Sequence, residues 1–283
     1  MELDINHLFF WDPIVFEGTA FEFNRVALLM IVASVVCMAV FLIGARGRLI
    51  PKGFFQNAVE SGYTFVRNQI AVDIIGPEGV KYAGYLAGLF FFIFFMNLLE
   101  IVPGINFPVT SRMAIPAFLA LLTYIIFNVV GIVKQGPIRY FKDTLFPPGV
   151  PKPIYIILAP IELFSVFVIR PLTLAVRLLA NMMAGHVLLT IFFLFTHSFL
   201  VENLGPASPF GIVTLVIACG LIIFELLVIT IQAYIFTMLT AFYIAESIHG
   251  HGDHDEEEHA DKDKVSAVTP EHEIEGLKPQ TAA

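Results

Sequence analysis

Between Ile154 and Leu200 the chain runs 47 residues almost without a break in apolar side chains, yet Arg170, Arg177, Asn181 and His186 lie inside that run. A bilayer's hydrocarbon core, about 30 Å thick, needs only about 20 helical residues to cross. At about 1.5 Å per residue the run reaches roughly 70 Å as one helix. It must therefore lie steeply tilted, kink at Pro171, or fold back on itself. Each guanidinium placed at the centre of a membrane helix costs about 2.5–3.5 kcal/mol on insertion scales. Arginines kept at that cost point to work with ions.

The whole chain fits this environment. Hydrophobic residues make up 57% of its 283 residues and charged ones 14%, against about 25% charged in a soluble domain. An all-α integral membrane protein follows. Cys37 and Cys219 both sit in apolar runs and read as small core residues, not as a disulfide or metal pair. The first 22 residues hold five acidic residues and no Lys or Arg, so no cleaved secretory signal is expected there.

The net charge of −8 is concentrated at one end. From His249 onward ten acidic residues and three lysines leave −7. That tail lacks apolar periodicity and is expected to be disordered and solvated. Its HGHGDHDEEEH run reads as a solvated stretch, and no metal, cofactor or nucleic-acid partner is expected.

Apolar runs at 26–44, 82–102, 114–133, 154–200 and 210–248 predict five membrane segments. The last two are each about twice a normal span. Only the short turn ENLGPASP joins them, so they should pack as a long tilted antiparallel hairpin. Residues 54–75 differ. Phe55, Val59, Gly62, Val66, Ile70 and Ile74 recur at spacings of three and four among polar residues, which predicts an amphipathic helix lying on the membrane surface. Basic residues cluster at 45–81 and 134–153, whereas the intervening turn has only Arg112 and ENLGPASP has none. The positive-inside rule puts both clusters in the cytoplasm, residues 1–25 outside and the tail 249–283 inside.

Arg170, Arg177 and Asn181, at spacings of seven and four, share one helical face. His186, nine residues beyond Arg177, falls roughly opposite. Glu225 and Gln232, seven apart in the last run, again share a face. Arg170, beside Pro171 and near an interface, can snorkel and reads as structural first. Asn181 and Gln232 suit interhelical hydrogen bonding as well as function. Glu225 must be protonated, paired or wet in lipid. Arg177 cannot discard its charge and is the strongest functional candidate.

The strings AVRLLANMMAGH (175–186) and TIQAYIFTMLTAFYI (230–244) resemble subunit a of the bacterial F-type ATP synthase, as do VESGYTFVRNQI and FFFIFFMNLLEIVPG. The resemblance implies a proton-conducting stator without a catalytic site of its own. Arg177 would face a rotating ring of c subunits and block leakage between two half-channels, with Asn181 and Gln232 beside it. His186 and Glu225 would supply the family's Glu/His combination. The implied partners are the c ring, the b subunits of the peripheral stalk, the remainder of the FoF1 complex and membrane lipid, in the bacterial plasma membrane. Glu100, Arg112 and Arg170 match no family motif; Glu100 and Arg170 are candidates for half-channel mouths or structural roles. The alternative is a secondary transporter or ion channel with its site in the hairpin.

Overall fold

A computed structural model describes residues 25–45, 53–146, 152–202 and 208–249. Nearly all of the expected N-terminal segment, Arg46, Arg48, the centre of the ENLGPASP turn and the acidic tail beyond His249 lie outside them. Among the described residues the fold is helical throughout, with no strand. Four helices are long and apolar enough to cross a membrane: α1 (Arg25–Ala45), α4 (Ala114–Gln135), α6 (Tyr155–Val201) and α7 (Ser208–His249). The second expected span is a shorter apolar helix, α3 (Ala83–Leu98). It stops before 102 because the chain turns through Pro103 and Gly104, the latter at φ 92°.

α7 packs against α6, α3 and α4, while α1 lies on the outer side of α3. The core is an apolar seam through these helices, including Leu86, Ile93, Phe127, Leu178, Met182, Ile229 and Phe236. Most remaining large apolar side chains face outward, as lipid contact requires. Cys37 is buried, but Cys219 is exposed, so only the first is the core residue both were expected to be.

The 47-residue run neither folds back nor breaks at Pro171. It continues as one helix, α6, through a π-helical turn at Ser165–Ile169. Proline lacks an N–H and crowds the preceding turn, and a wider turn absorbs that defect without ending the helix. At about 70 Å, α6 can lie in a bilayer only at a steep tilt.

Residues 54–75 form helix α2, but as two unlike halves. Phe54–Phe65 has no buried residue, in keeping with a surface position. A π-helical stretch, Val66–Val72, then shifts the apolar positions inward, and Val66, Ile70, Ala71 and Ile75 are buried in the core. The basic connection after α4 contains a further amphipathic helix, α5 (Pro137–Leu145). Its Tyr140 ring fills the groove left by Gly131 of α4 and donates a 3.1 Å hydrogen bond to Asn128.

Helix ends are tied in register. Arg25, at the start of α1, donates to the Ile105 carbonyl at 3.1 Å, just beyond α3. At the other end of the bundle, Gln135 donates to the Ser247 carbonyl at 2.9 Å and Lys134 pairs with Glu78 at 2.5 Å.

Candidate functional site

The buried residues in the middle of α6 are Leu174, Ala175, Leu178, Met182, Gly185, His186 and Leu189, a stripe at spacings of three and four. Arg177 stands on the other side, exposed among Thr173, Val176, Ala180 and Ala184. It has no hydrogen-bond or ion-pair partner among the described residues. The half-turn between Arg177 and His186 thus separates an outward permanent cation from an inward imidazole, as the sequence spacing predicts.

Behind Arg177, Asn181 Nδ2 donates to Gln232 Oε1 across the hairpin at 3.3 Å. Further along, His186 Nδ1 lies 3.7 Å from Glu100 Oε1, an ionic rather than hydrogen-bonding separation. The Phe107 ring meets the imidazole edge-on, with centroids 5.7 Å apart. Glu225 fills the space above Gly185, the residue next to His186; a Cβ there would lie 2.6 Å from Glu225 Cδ. Glu100 and Glu225 are within electrostatic reach of each other. Asn97, near the end of α3 and three residues before Glu100, accepts a hydrogen bond from the Thr110 hydroxyl.

The cluster is deeply buried, with Glu100 3%, Glu225 4% and His186 6% exposed. It is also under-paired. Both Glu100 oxygens, Glu225 Oε1, Asn97 Nδ2 and Gln232 Nε2 make no hydrogen bond among the described residues. Each such atom costs about 1–3 kcal/mol if it stays unpaired, so these groups require protons, water or another subunit.

The structure therefore brings His186 to Glu100, which sequence reasoning left among the half-channel or structural candidates, with Glu225 alongside at Gly185. Sequence reasoning also missed Asn97 and Thr110. Arg170 does not snorkel. It is half-buried and forms a two-pronged pair with Glu246 of α7, at 2.5 and 2.7 Å, with its guanidinium 5.2 Å from the centre of the Tyr243 ring. The signal for Glu246 was present: one apolar run carries two arginines with only Glu162 as a carboxylate, and the next carries Glu225 and Glu246 with no Lys or Arg. Among the described residues no group of three or more His, Cys, Asp or Glu side chains could hold a metal ion.

Fold and site together define a multi-pass helical membrane protein with a titratable interior and an outward-facing permanent cation, Arg177, on its long hairpin. Comparison with known proteins identifies the family. The ATP synthase A chain family matches residues 26–245. ATP synthase subunit a of Rhodococcus erythropolis is 41% identical over 243 residues, covering 85% of this chain and 88% of the relative. That of a Parafrankia species is 43% identical over 267 residues, covering 93% and 86%, and that of Frankia alni 40% over 247, covering 87% and 84%. The chain belongs to the ATP synthase subunit a family. A free-standing transporter or channel is thereby set aside.

Proposed function

We propose that this chain is the proton-translocating stator of the Fo sector, holding two half-channels against a rotating ring of c subunits, with b subunits of the peripheral stalk as neighbours. Arg177 attracts the ionised carboxylate of a passing ring subunit and bars protons from crossing directly. The observation that carries this reading is Arg177 itself, an unpartnered guanidinium on the outer face of α6, two to three turns from a buried cluster of proton-bearing groups. A charge that no pH can remove is stable there only if a partner from outside the chain comes to it.

Glu100, His186 and Glu225 form the outer half-channel, and Asn181 with Gln232 borders Arg177 between that channel and the ring. Histidine titrates near neutral pH, which suits it to passing protons on. One proton crossing the full membrane releases about 2.3 kcal/mol per 100 mV. That energy reaches the rotor only if no proton slips past Arg177. In the bacterial plasma membrane the N-terminus faces outward, and residues 45–81, 134–153 and the tail 249–283 face the cytoplasm. The ties from Arg25 to Ile105 and from Gln135 to Ser247 support this alternation, since each joins helix ends assigned to one side.

The test is Arg177→Ala in membrane vesicles at matched assembly. ATP synthesis should vanish while passive proton uptake persists or rises. Arg177→Lys should also be severely impaired, because lysine lacks the planar fork and can lose its proton when desolvated. Near-normal synthesis by an assembled Arg177→Ala enzyme would refute the reading.

A further inference from the structure

Seven residues separate Arg170 from Arg177, so on α6 they lie about 10.5 Å apart along the axis and within about 20° in azimuth. By helical position alone both guanidiniums would address the same outer face. They do not. Arg177 is exposed, whereas Arg170 is drawn sideways onto α7, where both Glu246 oxygens accept from it and the Tyr243 ring lies against it. Both arginines follow the π-helical turn Ser165–Ile169 in one continuous α-helix, so the difference lies in the side chains.

A small cavity lined by Gln135, Tyr140, Asp143, Thr144 and Ser247 adjoins the pair, so further polar groups close around it. Tyr243 is also within electrostatic reach of Arg177.

We propose that Glu246, with Tyr243, sequesters Arg170, so that Arg177 alone presents an uncompensated guanidinium to the rotor. This rests on the stator reading given above. Were Arg170 loose, a ring carboxylate would meet two permanent cations two turns apart on one helix and would be held over both. The ring would then release its carboxylate more slowly. Tyr243 and Glu246 are positioning residues in this account; neither touches the ring or the moving proton. A simple fastening role for the ion pair makes a different prediction, because a fastener is lost whichever half is removed and is not restored by removing both.

Glu246→Gln, Arg170→Gln, the double variant and Arg177→Ala are compared in the assembled ATP synthase in membrane vesicles, measuring ATP synthesis and ATP-driven proton uptake. Glu246→Gln, which leaves Arg170 charged and unpaired, should lower both by about tenfold, within the range of coupling between contacting charged groups. The double variant should recover to within about twofold of the parent, since it removes the second cation that Glu246→Gln sets loose. If that variant fails to assemble, Arg170→Met with Glu246→Leu carries the same test. A double variant as impaired as Glu246→Gln, or a Glu246→Gln enzyme with parental rates, overturns the proposal. Arg177→Ala separates the two ideas: its synthesis is lost if the stator reading holds, whatever the double variant does.

Discussion

Gly185 gives the sharpest test of how the buried cluster is built. Its missing side chain is where the Glu225 carboxyl sits, and a Cβ at 185 would lie 2.6 Å from Glu225 Cδ. Carbon atoms in contact rest about 3.5–4.0 Å apart, so in Gly185→Ala the carboxyl must retreat by about 1 Å. Two effects on stability nearly offset each other. Alanine is favoured over glycine in a helix by about 1 kcal/mol, and overpacking a filled core costs about 1–3 kcal/mol. The variant should therefore assemble.

Function should suffer far more, since a misplacement of about 1 Å in a reacting group can cost on the order of 10²-fold in rate. We expect proton-driven ATP synthesis and proton uptake to fall by about ten- to a hundredfold with subunit content unchanged. Adding Glu225→Asp withdraws the carboxyl by one carbon–carbon bond, about 1.5 Å, and should return part of the flux. Parental flux in the assembled Gly185→Ala enzyme would show that Glu225 need not occupy this position.

Two further outcomes follow from the same geometry. In double-mutant cycles on proton flux, His186→Ala should be coupled to Glu100→Gln by about 0.5–3 kcal/mol, the range for residues in contact, and additive losses would place the two on separate routes. In a topology assay, the exposed Lys142→Cys should be labelled only from the cytoplasmic side and Ser208→Cys only from outside; labelling of Lys142→Cys from outside would invert the fold.

The membrane segments were legible because lipid imposes a composition that no soluble core needs. The face of α6 was legible too, since 100° per residue is enough to set His186 against Arg177. What escaped has identifiable physical causes. Glu100 and His186 are 86 positions apart in the sequence, and only the packing of α3 beside the hairpin brings them together. Arg170 left its expected face because its long side chain reaches sideways to a carboxylate that helical arithmetic on one helix does not see. The helix α5 spans nine residues, too short for its period to stand out from a proline-rich connection, and in α2 the π-helical stretch broke the simple spacing on which a surface helix was predicted.

One element of the site was nevertheless within reach of counting. In an antiparallel hairpin, facing residues have numbers whose total stays nearly constant. It is 410 for Thr196 with Thr214 and for Gly185 with Glu225, 413 for Asn181 with Gln232, and 416 for Arg170 with Glu246. The same progression sets Arg177 opposite Thr237 or Met238. Met238 carries no charge, and the Thr237 hydroxyl is already spent on the Ala233 carbonyl at 2.9 Å. Glu246, the carboxylate that faces Arg170, is two turns further along α7. Of the five Arg and Glu side chains in the two long helices, Glu162 lies fifteen residues before Arg177 on α6, Arg170 and Glu246 neutralise each other, and Glu225 turns inward to Gly185 and the Glu100 cluster. Among the described residues Arg177 therefore has no counter-charge, because the register of the hairpin supplies none at its level, and under the stator reading the carboxylate of a passing ring subunit fills and leaves that place.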